Sequence, residues 1–310
     1  MKPEYLLHGS KSTLSSLFLV TLFFVSFLVV TPSAQAASPV FVLDDMDEDL
    51  IIGQRAKPEW GFFWSAPAVT GINLGYLAEH GYPNFASDYN GDGGIDSEDL
   101  IRLVDTLGSG DYMNTAPDRG TTDPDLLYGL AKYVNEKYPD TFHIKVYEND
   151  FRREYREVMG EGLPEELFGV PIRVFPGPRF SSYERELREG EMVWVGVPQE
   201  NTEHNHFLAG RSFDTRPNFS GNLPVDFGDP RERTFEPGRG HIIETEWIPP
   251  TRLMYEGNGR PVDVLIALSP LEEEDDTRIS TGGPNLVCET NCEYDCEKTT
   301  ERVCVEQKSV

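Results

Sequence analysis

The run Asp88–Asp99, D-Y-N-G-D-G-G-I-D-S-E-D, places oxygen-bearing side chains at the intervals a hard cation requires. Asp88, Asn90 and Asp92 stand at positions 1, 3 and 5 of a twelve-residue loop, and Gly93 stands at the sharp-turn position 6. Gly94 at position 7 supplies a backbone carbonyl, and Asp96 and Asp99 fill positions 9 and 12. This is the spacing of a calcium loop. Its four ligand carboxylates, packed into so short a segment, repel one another without a cation. The plainer reading is an acidic surface turn, since Asp, Asn and Gly form turns anyway. A turn, however, needs neither the full ligand set nor the helix written directly after it.

That helix is marked by Leu100, Leu103, Val104 and Leu107, spaced i, i+3, i+4, i+7, with Gly108 where a left-handed C-terminal cap is expected. Ile95 at position 8 can tie the loop to the body of the protein. Loop and exit helix together resemble an EF-hand, and the D-x-N-x-D-G-x5-D form resembles a dockerin repeat more than a calmodulin hand. Dockerins carry two such repeats, and this sequence carries one. Asp99 in place of the usual Glu shortens the grip on the ion by one methylene. The expected affinity for Ca2+ is therefore weak, on the order of 10⁻⁴ to 10⁻³ M as in extracellular modules.

The first 36 residues read as a secretory signal and not as part of the fold. Lys2 and Lys11 supply a basic start, Leu14 to Val30 an uncharged apolar run, and Ala34-Gln35-Ala36 a small-residue cleavage site, predicting cleavage after Ala36. An uncleaved anchor is the alternative, because the run approaches the length of a membrane span. The chain has 27 basic and 53 acidic residues, a formal net charge of −26. Such a surface disfavours nucleic acid, anionic lipid and acidic polymers as partners and suits divalent cations. The four cysteines, Cys288, Cys292, Cys296 and Cys304, all lie in the last quarter of the chain. In an exported protein they predict two disulfides with three possible pairings, or alternatively a metal site.

Three regions follow: the signal at 1–36, a domain over 37–270, and an acidic linker with a cysteine tail over 271–310. Within the domain, Ser65 reads as an N-cap and Pro67 as a first-turn residue of a helix continuing through Ala68 to His80 and closing at Gly81, with Val69, Ile72, Tyr76 and Leu77 as its buried stripe. Asp123 and Pro124 look like N-cap and N1 of a helix with an apolar stripe of Leu126, Leu127, Leu130, Ala131 and Val134. Phe142 to Tyr147 reads as a strand, and Phe151 to Met159 and Tyr183 to Arg188 as surface helices. Met192 to Val197, His206 to Phe213, His241 to Trp247 and Val262 to Ser269 are β-rich runs. Helices first and strands afterwards predict an α+β fold with an antiparallel sheet.

Trp64-Ser65-Ala66-Pro67 heading a Gly-rich helix, Gly81-Tyr82-Pro83, a helix after Gly120-Thr121-Thr122, and a strand opening His206-Phe207 together resemble the papain-like fold of bacteriocin-leader-processing (double-glycine) peptidases. The resemblance covers roughly residues 50–270. It implies a nucleophile at position 65, a strand histidine at His206 and an orienting acid at Asp229, followed by Pro230. His204 and Asp226 are the weaker candidates for the last two roles. The family has Cys where this chain has Ser65, and the oxyanion-hole Gln is unmatched, Gln54 being farther from Ser65 than the pattern asks. A thiol of pKa about 8.5 can be ionised by a helix N-terminus and an imidazole. A serine hydroxyl cannot, and it needs general-base removal of its proton during attack.

His204 and His206 also form H-x-H, which on a strand would put both rings on one face as metal ligands, with Glu203 or Asp214 as a third. The expectation is a secreted calcium-binding protein on a papain-like, non-catalytic domain. Two alternatives stand beside it. One is an active hydrolase with Ser65, His206 and Asp229 acting on a peptide, and the other is a dockerin-like assembly module binding an extracellular protein.

Overall fold

The first helix is apolar on every side. Residues 65–78 are all buried, so the four-residue stripe expected from the sequence understates it: a helix without a polar face must be enclosed. This helix, α1 (Ser65–Glu79), is covered by α2 (Ser97–Gly108) and lies against the sheet. The computed structural model describes residues 38–43, 46, 48–60, 63–199, 204–232 and 238–271. The signal at 1–36, the acidic run from Glu272 and the cysteine tail lie outside the described residues.

In chain order the strands are β1 (Val40–Val42), β2 (Phe142–Tyr147), β3 (Glu166–Leu167), β4 (Val170–Phe175), β5 (Met192–Pro198), β6 (Asn205–Asp214), β7 (Leu223–Asp229), β8 (His241–Ile248), β9 (Arg252–Tyr255), β10 (Asn258–Pro261) and β11 (Val264–Pro270). The remaining helices are α3 (Asp123–Lys137), α4 (Phe151–Met159) and α5 (Phe180–Arg188). The strands form one sheet in the order β10-β9-β8-β7-β6-β5-β11-β2-β4-β3, with β1 added beside β6. The fold is α+β and the sheet is mostly antiparallel, but β2 and β4 run parallel across a connection containing α4. That pair departs from the wholly antiparallel expectation. The helices are also not confined to the first half, since α4 and α5 are interleaved with strands.

Close approach of α1 and α2 depends on glycine. A Cβ at Gly71 would collide with Val104 Cγ2, and one at Gly75 would stand 2.6 Å from Leu100 Cδ2. Leu100, Leu103, Val104 and Leu107 are all buried, as their spacing predicts. Gly108 does a different job from the expected left-handed cap. It is the last residue of α2, and it is small because the Trp64 ring occupies the place of its side chain. Trp64 in turn stacks on Trp60 at 5.1 Å.

On the sheet side, Thr70 Oγ1 accepts from Trp194 Nε1 of β5 at 2.9 Å while donating to the Ala66 carbonyl at 2.8 Å. This pair satisfies an indole N–H and a hydroxyl that burial would otherwise strand. We expect Gly71→Ala to cost about 1–3 kcal/mol through overpacking, outweighing the roughly 1 kcal/mol that Ala gains over Gly in helix propensity. Urea denaturation measures it, and a variant at least as stable as the parent would show that α1 and α2 are not in tight contact.

Candidate functional site

Two groups of sequence-predicted residues come together. In the loop, the Asp88 carboxylate accepts from the backbone N–H groups of Gly91 (2.5 Å), Asp92 (3.2 Å) and Gly93 (2.9 Å). Gly93 takes φ +98°, a conformation that favours glycine. Asn90 Nδ2 donates to Asp92 Oδ2 at 3.2 Å and to Asp96 Oδ2 at 3.0 Å, so one amide group draws these two carboxylates together.

Asp96 is the N-cap of α2 and forms a capping box with Asp99. Asp99 is fully buried, and its carboxylate closes the loop by accepting from Tyr89 N at 2.7 Å and Asp96 N at 3.2 Å. Hydrogen bonds from Asp99 and Glu98 N–H groups hold the Asp96 carboxyl below its ordinary value. Gly94 N donates to Asp92 Oδ1 at 3.1 Å. The entering element is only the 3-10 turn Pro83–Phe85, so one helix flanks the loop directly instead of two.

The second group lies where α1 meets β6 and β7. Ser65 is not the N-cap of α1. Trp64 holds that position without a side-chain cap, and Ser65 is the first helical residue. Its Oγ instead accepts from the backbone N–H of Phe207 in β6 at 3.2 Å. His206, one residue earlier, directs Nε2 at Asp229 Oδ1 at 2.8 Å. Asp229 also accepts from Arg231 N at 2.8 Å and from the Tyr255 hydroxyl at 2.7 Å. Burial opposes its charge, but His206 and these donors outweigh that and hold its carboxyl below the ordinary value.

An ionised carboxylate only accepts, so Nε2 of His206 carries the proton and Nδ1 has the lone pair when the ring is neutral. Ser65, His206 and Asp229 are each no more than 3% exposed. No hydrogen bond among the described residues joins Ser65 to His206.

The alternative residues sit elsewhere. Asp226 accepts from Ser212 Oγ at 2.6 Å and pairs with Arg211 at 3.5 Å, so it is not the partner of His206. His204 precedes β6 and is half-buried, while Asp214 closes the far end of that strand in an ion pair with Arg216 at 2.7 Å. The H-x-H metal reading therefore fails for His204, His206 and Asp214, and Glu203 lies outside the described residues. Gln54, distant from Ser65 in sequence, is buried beside the Asp229 end of β7, where its N–H donates to the Pro230 carbonyl at 2.7 Å. Tyr255 carries no sequence signal for its role, because strand pairing brings it to Asp229, whereas Arg231 reaches that carboxylate locally, from two residues farther along the chain.

Buried acidic groups that can hold a metal ion are present. Asp123, Glu148 and Glu154 bring ligand oxygens within 4.8 Å of one another, as do Glu186, Glu189 and Glu191. The second group contains its own cation: Lys145 Nζ reaches Glu186 at 2.8 Å, Glu191 at 3.0 Å and Glu189 at 3.4 Å. In the first, burial and the neighbouring Asp123, Glu154 and Asp263 push the Glu148 carboxyl up to about 9. Burial, Glu154 and Asp263 raise Asp123 as well. The loop carboxylates form no such convergent group, as their oxygens are turned to N–H donors of the loop itself.

No protein-family model matches the chain, and no curated protein is significantly similar to it.

Tyr255→Phe should cost about 1–3 kcal/mol by leaving a buried carboxylate oxygen without its donor. Asp229 contributes stability above its unfolded pKa near 3.8, and this is lost as pH falls through its depressed folded value. Weakening the hold on Asp229 narrows that window, so acid unfolding of Tyr255→Phe, followed by circular dichroism, should shift to higher pH. An unshifted midpoint would show that the hydroxyl does not stabilise the charge.

Proposed function

We propose that this chain is a secreted calcium-binding protein built on a papain-like, non-catalytic domain, with the ion held by Asp88, Asn90, Asp92, the Gly94 carbonyl, Asp96 and Asp99. The observation that carries the calcium reading is the closed loop itself. Asp88 at position 1 gathers three N–H groups, Gly93 turns at position 6, and Asp99 at position 12 is buried against the start of α2. On binding, the Asn90 amide would turn its oxygen to the ion and release Asp92 and Asp96 to do the same. The ion then fixes the N-terminus of α2, which covers α1, so its effect is on local stability and not on signalling.

The non-catalytic reading rests on Ser65. Its hydroxyl oxygen accepts the Phe207 N–H, is buried, and has no hydrogen bond to the imidazole that would have to remove its proton. A second reading, a hydrolase, is favoured by the His206–Asp229 pair. The ring is oriented by an ionised acid, and its Nδ1 is left for a nucleophile. The single loop gives no comparable support to a docking module.

For a Kd on the order of 1 mM, about 10 mM calcium should stabilise the fold by about 1.4 kcal/mol over protein in chelator. Asp88→Ala with Asp92→Ala should remove the loop's share of that gain. A thermal melt of the parent protein that is identical in calcium and in chelator rejects the calcium reading. On the non-catalytic reading, a fluorophosphonate should leave Ser65 of the folded protein unlabelled. Adduct formation at Ser65 that disappears in His206→Ala would establish the hydrolase instead.

A further inference from the structure

The acidic group at the start of α3 has no counterpart among the motifs legible in the sequence. The helix begins one residue earlier than its Asp-Pro signature suggests. Thr122 is the N-cap, accepting from Asp125 N at 3.1 Å, and Asp123 is thereby freed from capping. Its carboxylate is buried and accepts from Asn205 Nδ2 at 2.8 Å, and the same amide reaches Asp263 Oδ2 at 3.2 Å. Glu148, just past β2, and Glu154, on α4, complete a set whose oxygens lie within 4.8 Å of one another. Five separate parts of the chain thus send a carboxylate or an amide to one point.

Two observations indicate that something is meant to occupy it. Glu148 is 8% exposed, and its Oε2 is buried with no donor group reaching it among the described residues, so that only a proton on Glu148 can join its carboxyl to that of Glu154. An orphaned carboxylate oxygen is among the costliest groups to bury. No Lys or Arg among the described residues forms an ion pair with Asp123, Glu148, Glu154 or Asp263, in contrast to the group served by Lys145. A cleft of about 300 Å³, lined by Glu148, Asp150, Gly177, Arg179, Thr251 and Asp263 among others, opens beside it and offers an entry path.

We propose that Asp123, Glu148 and Glu154, with Asp263 in support, form a second cation site, independent of the Asp88–Asp99 loop and taking a hard divalent ion of the calcium and magnesium class. The donor set is entirely oxygen, which suits those ions and not zinc or copper. An ion there neutralises the buried charges and ties α3, α4 and the end of β2 to the strand that carries His206, since Asn205 is the residue before it.

Calorimetric titration of the intact chain with calcium tests this. The parent protein should bind two ions, Asp88→Ala/Asp92→Ala one, Glu148→Gln one, and the three substitutions together none. If the loop binds nothing, the parent should bind one ion, which survives Asp88→Ala/Asp92→Ala and is lost in Glu148→Gln. A folded Asp88→Ala/Asp92→Ala protein that takes up neither calcium, magnesium nor manganese would overturn the proposal, as would Glu148→Gln with the parent's stoichiometry. Should Glu148→Gln fail to fold, Glu154→Gln, on the less buried side of the group, must lose the same ion, and undiminished binding in it would equally overturn the site. In chelator Glu148→Gln should melt above the parent, because a neutral amide is spared the cost of keeping that buried acid protonated, and in calcium the order should reverse. A higher melt in both conditions would show that no cation holds the carboxylate.

Discussion

Enclosure of α1 is the constraint on which the rest of the structure depends. A helix buried from Ser65 to Ala78 has no solvated face, so every neighbour must fit it closely. Gly71 and Gly75 admit α2, Gly108 admits the Trp64 ring, Thr70 receives the Trp194 N–H, and Ser65 receives the N–H of Phe207. Each contact solves a packing or hydrogen-bonding problem that arises only because the helix is interior. The juxtaposition of Ser65 and His206 is one product of that docking. The same geometry that could assemble a catalytic site is therefore accounted for by satisfying the buried N–H of β6.

The Asp88–Asp99 loop inherits its importance from the same constraint. Asp96 and Asp99 form the capping box of α2, and Leu100 and Val104, one turn farther on, are the residues that face Gly75 and Gly71. Fixing the loop fixes the register of α2, and with it the cover over α1. An ion bound at the surface would thus act on the core through one turn of helix. On the proposed reading, the weak affinity expected of an Asp at position 12 is sufficient for this, because stabilisation by mass action needs only that the ion be abundant where the protein works.

What the sequence disclosed follows from how local each signal is. The α2 stripe, β2 and α4 depend on residues within one or two turns, and their bounds or faces emerge nearly as expected. Helix starts were displaced by one residue. Ser65 and Asp123 look like caps, but tertiary partners, Phe207 N and Asn205, claim their side chains, and Trp64 and Thr122 take the cap positions. β4 and β7 each contain a proline near their start and lack clean alternation, so both were hidden, although β7 carries Asp229. Gln54, Tyr255 and the Glu148 group are brought into place by tertiary contacts, and nothing in their immediate neighbours announces them.

The chain carries a large excess of acid, and the fold manages its buried carboxylates in different ways. Asp229 is given a histidine, a backbone N–H and a tyrosine, and its charge is held. Glu186 and Glu191 share Lys145. The loop turns its carboxylates to its own backbone, where N–H groups stand in for a cation. Asp123 and Glu148 receive only one amide between them, and beyond a proton shared with Glu154 one oxygen of Glu148 receives no donor among the described residues. Where the other three arrangements supply a positive charge or a full set of donors, this one supplies neither. A folded chain can tolerate that by keeping protons on the acids, at the cost of pushing Glu148 up to about 9, or by binding an ion. The two solutions differ in what they do for the fold: protons merely silence the charges, whereas an ion also ties together the elements that bring them to one place.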